Sequence, residues 1–175
     1  YTEENTLSLH DALPICFITR DNVQSLMKSW VHWLAGDPDV LSLDIDGNDA
    51  IVLDEILKVA SPRVLVLEYN GKFPPPLKVS VAYDAEHSWS GDDYYGSSLQ
   101  VFVDLLRDRY RLVSCGLSGA NAYFVRENES SVFPSHTVAA LYMPARHHLI
   151  QRSPGAIASL KHLRANLADR ANASS

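Results

Sequence analysis

Hydrophobic residues near the start of the chain repeat with the spacing of an amphipathic helix. Residues 19–35 predict this helix, because apolar side chains recur there every three or four positions and form one face. The residues of that face are Val23, Leu26, Met27, Trp30 and Leu34. The sequence Gly-Asp-Pro at residues 36–38 ends the pattern, since glycine and proline terminate helices.

Two mainly apolar segments follow, and each predicts a strand buried in a parallel sheet. They occupy residues 40–45 and 63–68, and such apolar runs are typical of strands that are covered on both faces. Between them, residues 48–60 return to helical spacing. A strand–helix–strand unit of this size predicts a right-handed crossover between neighbouring parallel strands.

Residues 70–97 interrupt this pattern with proline, glycine, aspartate and aromatic residues. A loop of this length inside a compact domain is typical of a functional lid or of a disordered insert. Its aromatic side chains, His87, Trp89, Tyr94 and Tyr95, are therefore candidates for a lid over a substrate.

The second half of the chain predicts one more helix and then a β-hairpin. Residues 98–109 have helical spacing, and residues 110–126 form two apolar stretches around a glycine-containing turn. The fold class is therefore α/β, with parallel strands that end in an antiparallel hairpin. Residues 131–175 predict a separate, basic and helical tail, and its four histidines are expected at the surface: His136, His147, His148 and His162.

Charge and cysteine content exclude several functional classes. The net charge of −6 argues against nucleic-acid binding, which requires a basic face. The apolar runs are far shorter than the roughly 20 residues of a membrane-spanning helix. Cys16 and Cys115 have no spacing typical of a zinc site or a disulfide framework. A reducing compartment, and hence a cytoplasmic location, is the expectation.

The first fifteen residues have the signature of a laboratory oligonucleotide. The sequence TLSLHDALPI at residues 6–15 matches the translation of one reading frame of a common sequencing adapter. We therefore expect residues 1–15 to be a non-native, adapter-derived segment. We also expect the natural chain to be cut at its N-terminal side near Cys16.

Three aspartates directly follow the first predicted strand, in the sequence VLSLDIDGNDA. Alternation along a strand places Asp44 and Asp46 on one side, and ligands of open α/β sheets bind outside the carboxyl ends of strands. Glu68 ends the neighbouring predicted strand. Carboxylates suit hard cations such as Mg²⁺, so Asp44, Asp46 and Asp49 are candidate metal ligands. Asp44, Asp46 and Glu68 are candidate catalytic groups.

Other interpretations of the Asp-x-Asp pattern remain open. A haloacid-dehalogenase-type phosphatase has an apolar strand that runs into Asp-x-Asp-Gly-Thr, but Asn48 replaces the threonine here. A nucleotide-sugar glycosyltransferase uses Asp-x-Asp to hold a divalent metal and a diphosphate. A purely structural interpretation is a turn at Asp46 followed by a helix cap at Asn48 or Asp49.

Four segments in order resemble the C-terminal half of an FkbM-like, S-adenosylmethionine-dependent methyltransferase. They are LSLDIDGNDAIVLDEIL, PRVLVLEYN, GSSLQVFVDLL and NAYFVREN, and the likeness covers roughly residues 17–128. The resemblance implies that residues 16–130 are the C-terminal half of a Rossmann-like, class I methyltransferase domain, so they would form part of a sheet that has seven strands when complete. Residues 40–45 and 63–68 would be its fourth and fifth strands, and residues 110–126 would supply the sixth and seventh.

The resemblance also implies a function. It implies transfer of a methyl group from S-adenosylmethionine to a hydroxyl of a small molecule or sugar, with Asp44, Asp46 and Glu68 at the acceptor and Mg²⁺ as a candidate metal. The glycine-rich loop that approaches the cofactor in such enzymes is expected upstream of Cys16. We therefore expect the chain alone to be inactive and to self-associate through an exposed edge strand. A non-catalytic binding domain of the same fold is the remaining alternative.

Overall fold

The computed structural model describes residues 17–34, 36–146 and 159–165. Four strands form one open sheet: β1 (Val40–Leu43), β2 (Val64–Glu68), β3 (Tyr110–Cys115) and β4 (Asn121–Arg126). Their order across the sheet is β1-β2-β4-β3. The adapter-like segment, residues 1–15, and Cys16 lie outside the described residues.

Strand β4 lies between two strands that precede it in the chain. Strands β1 and β2 are parallel, and Leu43 is paired with Leu67. Strand β4 is antiparallel to both β2 and β3. The hairpin turns at Gly119, which has a φ of 70°. Glycine adopts this left-handed conformation without the steric penalty that a Cβ atom brings.

Among the described residues, helices α1 (Val23–Leu34), α2 (Asp49–Ile56), α3 (Leu99–Leu106) and α4 (Val138–Leu141) accompany the sheet, and residues 161–165 are also helical. Helix α1 packs on α2, and both α3 and α4 contact β3. The core contains fully buried side chains from the sheet and the helices, among them Leu53, Leu65, Leu67, Phe102 and Phe124. Burial of each of these stabilises the fold by about 2 kcal/mol.

The observed elements confirm a mixed α/β fold whose sheet is partly parallel and partly antiparallel. The elements are shorter than predicted: the first strand ends at Leu43 rather than at residue 45, and the second helix ends at Ile56 rather than at residue 60. Within the described ranges, no helix combines the length and apolar character that crossing a membrane requires.

The end of the chain is partly integrated with the core. Val138, Leu141, Tyr142 and Met143 pack against it, so these residues of the predicted tail contact the α/β domain. His162 corrects the prediction of a surface histidine, because it is only 7 % exposed. His136 is exposed as predicted, whereas His147 and His148 lie outside the described residues.

Candidate functional site

Three carboxylates from two neighbouring strands converge at one edge of the sheet. Asp44 directly follows β1, and Glu68 is the last residue of β2. The parallel register brings them side by side, because Leu43 is paired with Leu67. One carboxylate oxygen each from Asp44, Asp46 and Glu68 lies within 4.8 Å of the others. We call these three residues the acidic cluster.

Glu68 binds its proton more tightly than a free glutamate does. Burial raises its pKa to about 8, and the charges of Asp44, Asp49 and Asp46 add to that effect. Burial and the charge of Asp46 also raise the pKa of Asp44, whereas a hydrogen bond from Glu68 opposes the rise. The side chains of Glu68 and Asp44 are hydrogen-bonded to each other, so the protonation of either carboxyl group depends on the other.

Asp46 has an uncommon backbone conformation. Its φ is 57°, and it is the one described non-glycine residue with a positive φ. Residues other than glycine rarely adopt the left-handed region, although aspartate tolerates it better than most. Gly47 is required for a different reason: a Cβ atom at Gly47 would overlap with the ring of His87. The sharp turn leaves the Asp46 side chain exposed.

Asn48 and Asp49 have structural roles in this turn. The Asp49 carboxylate is fully buried and accepts hydrogen bonds from the backbone N–H groups of Ile45 and Gly47, both at 2.9 Å. The Asn48 amide donates to the carbonyl oxygen of Asp84 at 2.7 Å and accepts from its N–H group. Asp49 was a candidate metal ligand, but the structure does not bring it into the acidic cluster.

The long loop (residues 70–97) forms a wall beside the acidic cluster. A cavity of about 300 Å³ separates the loop from the turn after β1. Its lining combines aromatic, apolar and polar side chains: Phe17, Ile18, Ile45, Asp46, Asn48, His87, Ser88 and Trp89. This volume is at the lower limit of small-molecule sites, which span roughly 300–1,000 Å³.

The four candidate lid residues do not share one location. His87 and Trp89 line the cavity, and the Nε2 atom of His87 lies 3.2 Å from the carbonyl oxygen of Asp46. Tyr95 is only 6 % exposed, and its ring packs against Trp89. Tyr94 is half-buried and contacts His162. The wall is therefore formed by His87 and Trp89, with Tyr95 behind it.

Two asparagines that fix the long loop were not identified from the sequence as parts of the site. Asn48 binds the loop at Asp84, and the buried Asn70 donates to the carbonyl oxygens of Asp93 and Tyr95. The sequence contains a pattern that could have identified them, because each asparagine lies two residues after a carboxylate of the cluster, Asp46 or Glu68.

The acidic cluster has the chemistry of a divalent-cation site. The buried Oε2 atom of Glu68 has no hydrogen-bond partner among the described residues, and the three carboxylates supply hard oxygen ligands. The described residues provide no comparable binding site for S-adenosylmethionine. In residues 17–34, 36–146 and 159–165, no glycine-rich loop follows a strand beside the cluster, so the described residues do not supply the cofactor-binding half of such a pocket.

Comparisons with known proteins do not assign this chain. No protein-family model, no curated protein and no solved structure matches it.

Proposed function

We propose that the acidic cluster binds a divalent cation and the hydroxyl group of an acceptor substrate, and that the reaction is an S-adenosylmethionine-dependent O-methyl transfer. The convergence of Asp44, Asp46 and Glu68 within 4.8 Å carries the acceptor side of this proposal. The methyl donor and the class I methyltransferase fold are assigned by the sequence resemblance alone.

The carboxylates have complementary roles in this proposal. Asp46 is exposed and lines the cavity, so its carboxylate can accept a hydrogen bond from an acceptor hydroxyl. Burial raises the pKa of both Asp44 and Glu68. A group with a pKa of about 8 can take up and release a proton near neutral pH, which is what a general base requires.

Asp44, Asp46 and Glu68 would hold Mg²⁺ or Mn²⁺. A divalent cation bound there would supply Lewis acidity and lower the pKa of an acceptor hydroxyl. Cation binding would also displace the proton of Glu68, because metal ligands must be deprotonated. His87 and Trp89 would then position the acceptor and restrict the access of water from the loop side of the cavity.

Isothermal titration of the 175-residue chain with Mn²⁺, at about pH 8, tests the cation site directly. We expect saturable binding with one cation per chain. Glu68→Gln and Asp46→Asn should each weaken it by at least about tenfold, since even the partners of metal ligands contribute roughly 10–100-fold. Asp108→Asn is the matched control, because Asp108 is exposed and precedes β3 at the opposite edge of the sheet.

A second assay separates the cation site from the reaction. In a longer chain that also supplies the cofactor-binding half, transfer of a labelled methyl group from S-adenosylmethionine to a panel of sugars and phenols should be cation-dependent and should be lost in Asp46→Asn, whereas the 175-residue chain should show no transfer. Cation binding by the longer chain without methyl transfer, together with hydrolysis of p-nitrophenyl phosphate, would contradict the methyltransferase proposal and favour the phosphatase alternative. Loss of nucleotide from a UDP-sugar would favour a glycosyltransferase instead.

We also propose that a second copy of the chain pairs with β1. Strand β1 is an edge of the described sheet, and Val40 is 56 % exposed there. Exposed apolar edge strands promote association. Sedimentation equilibrium should detect a dimer that Val40→Lys weakens, and a monomer at all concentrations would contradict this proposal.

A further inference from the structure

Residues 159–165 dock on the long loop through a group of polar contacts around Asp93. The Ser159 N–H group and hydroxyl both donate to Oδ1 of Asp93, at 2.9 and 2.7 Å. Lys72, near the start of the loop, contacts Oδ2 of the same carboxylate at 3.2 Å. Asp93 is only 7 % exposed, and groups from two separate segments bind its two carboxylate oxygens.

A second contact lies one residue earlier in the loop. The Nζ atom of Lys161 lies 2.7 Å from the Asp92 carboxylate and 2.7 Å from the Ser90 hydroxyl. Its ammonium group holds the pKa of Asp92 below the usual value. Residues 90–93 are therefore fixed by this segment at the position where the loop passes from Trp89 to Tyr95.

His162 is at the centre of the contact. Its Nε2 atom lies 3.0 Å from the carbonyl oxygen of Asp93, which can only accept, so Nε2 carries the donated hydrogen. The imidazole lies between two aromatic rings: the Phe73 centroid is 5.0 Å away and the Tyr94 centroid is 4.8 Å away. A histidine in this position is packed as a neutral, largely apolar ring.

Protonation of His162 would place a positive charge between these rings. Burial lowers its pKa, and the nearby carboxylates of Asp93 and Asp92 oppose this effect without cancelling it. Among the described residues, the other charged groups that face the contact are Lys72 and Lys161, which bind those same carboxylates. Both carboxylates are thus already neutralised by lysines, and an added charge on His162 gains little from them.

We propose that residues 159–165 are a pH-sensitive strap, which holds the long loop in place while His162 is neutral and releases it when His162 is protonated. Docking weakens in acid because the docked histidine binds its proton more weakly than the free histidine does. Docking is therefore complete above about pH 6.5, the value for a free histidine. It weakens as the pH falls below that value, by up to about tenfold per pH unit.

Release of the strap would affect the cavity wall through the contacts of Trp89 and Tyr95. Trp89 donates from its indole N–H group to the carbonyl oxygen of Asp92 at 2.7 Å. Tyr95, two residues after Asp93, packs on Trp89 and is hydrogen-bonded through its carbonyl oxygen to Asn70. A loop freed at Asp92 and Asp93 would loosen the Trp89 wall, and acid would therefore open the cavity.

Amide hydrogen exchange of the 175-residue chain, measured without added cation between about pH 8 and about pH 5, tests the strap. After correction for the intrinsic exchange rates, protection of residues 159–165 and of residues 89–95 should fall together below about pH 6.5. His162→Gln retains a donor for the Asp93 carbonyl group but does not titrate, so protection should stay constant. His136→Gln, at an exposed histidine, should behave as the wild type.

Two results would overturn the proposal. One is a His162→Gln variant that loses protection with acid as the wild type does. The other is a wild-type strap that is released while residues 89–95 keep their protection. If the His162→Gln variant does not dock, the ring-proton titration of His162 in the wild type, followed by NMR, provides an independent test. Its midpoint must lie below about 6.5, the value for a free histidine, and a midpoint at or above that value would also refute the strap.

Discussion

The two ends of the β1–β2 pair carry acidic residues in opposite environments. At the amino end, Asp39 and Glu129 both bind Arg63, at 3.0 and 2.6 Å. At the carboxyl end, Asp44, Asp46 and Glu68 lie together, and among the described residues no Lys, Arg or His forms a salt bridge with them. The same two strands thus end in a neutralised acidic pair on one side and in an unneutralised cluster on the other.

The two ends also differ in the pKa values of their carboxyl groups. Arg63 holds the pKa of Glu129 below its usual value, so that end favours ionised carboxylates. The carboxyl end favours a protonated Glu68 and has a buried oxygen without a partner. Carboxylates that raise each other's pKa are costly to maintain, and perturbed groups of this kind concentrate at functional sites.

At constant, neutral pH, the largest effect expected of a single substitution comes from removing the support of the acidic turn. Asp49→Ala leaves the N–H groups of Ile45 and Gly47 without their carboxylate acceptor. We expect the free energy of unfolding, measured by urea denaturation, to fall by about 3 kcal/mol, because hydrogen bonds to charged groups contribute about 1.5–3 kcal/mol each. Asp39→Ala, at the paired end, is the control. Equal losses of unfolding free energy in the two variants would show that the two ends of the β1–β2 pair do not differ in this respect.

The pH dependence of stability should have opposite signs at the two ends. The Glu68 pKa is about 8 in the folded protein, whereas an unperturbed glutamate has a pKa of 4.5. Its contribution is therefore complete below about pH 4.5 and is lost as the pH rises through about 8, by at most about 1.4 kcal/mol per pH unit. Urea unfolding of wild type and Glu68→Gln across this range isolates the contribution as a difference.

Glu129 provides the opposite case for the same measurement. Its pKa is lowered in the folded protein, so its contribution is present above about pH 4.5, the usual value, and is lost on acidification. Glu129→Gln should therefore flatten the acid side of the stability profile. A pH profile identical in both variants would mean that the two ends do not differ electrostatically.

A divalent cation should stabilise the protein through the carboxyl end only. At a Mn²⁺ concentration about ten times the dissociation constant, ligand binding should add about 1.4 kcal/mol of stability, detected as a higher melting temperature. Asp44→Asn should abolish the increase, and Asp39→Asn should retain it. An increase that survives Asp44→Asn would locate the cation elsewhere.

The smallest expected effect is at the paired end. The Asp39 side chain is 79 % exposed and that of Arg63 is 57 % exposed, and exposed ion pairs contribute little to stability. Asp39→Asn should leave the urea midpoint within experimental error, and any residual effect should disappear in about 1 M salt. A large, salt-independent loss would show that this end has a structural role that the contrast does not assign to it.

The strands and the proximity of the carboxylates could be predicted from sequence because both follow from local pattern. Two mainly apolar segments joined by one helix predict neighbouring parallel strands, and the carboxyl ends of such strands meet at one edge. The end of β1 could not be predicted. The strand pairing stops at Leu43 because the Asp49 side chain captures the N–H group of Ile45, and a side-chain acceptor is not visible in hydrophobic spacing.

The roles of Asn70 and His162 depended on contacts between distant residues. Asn70 is buried because it binds carbonyl groups 23 and 25 positions away, and His162 is buried against Asp93, 69 positions earlier. Neither partner has a distinctive spacing in the sequence. The same limit applies to Asp49, whose acidic character predicted a ligand although its oxygens are bound by the backbone.

The insertion of β4 between β2 and β3 has a consequence for synthesis of the chain. On the ribosome, β1 and β2 emerge first, and β3 follows about forty residues later, but β3 has no neighbour in the sheet except β4. The two halves of the sheet can join only after Arg126 has left the exit tunnel. Until then β2 exposes an unpaired edge, so the emergence of residues 121–126 from the exit tunnel, and not their synthesis, is the step at which the nascent chain can first complete the described sheet.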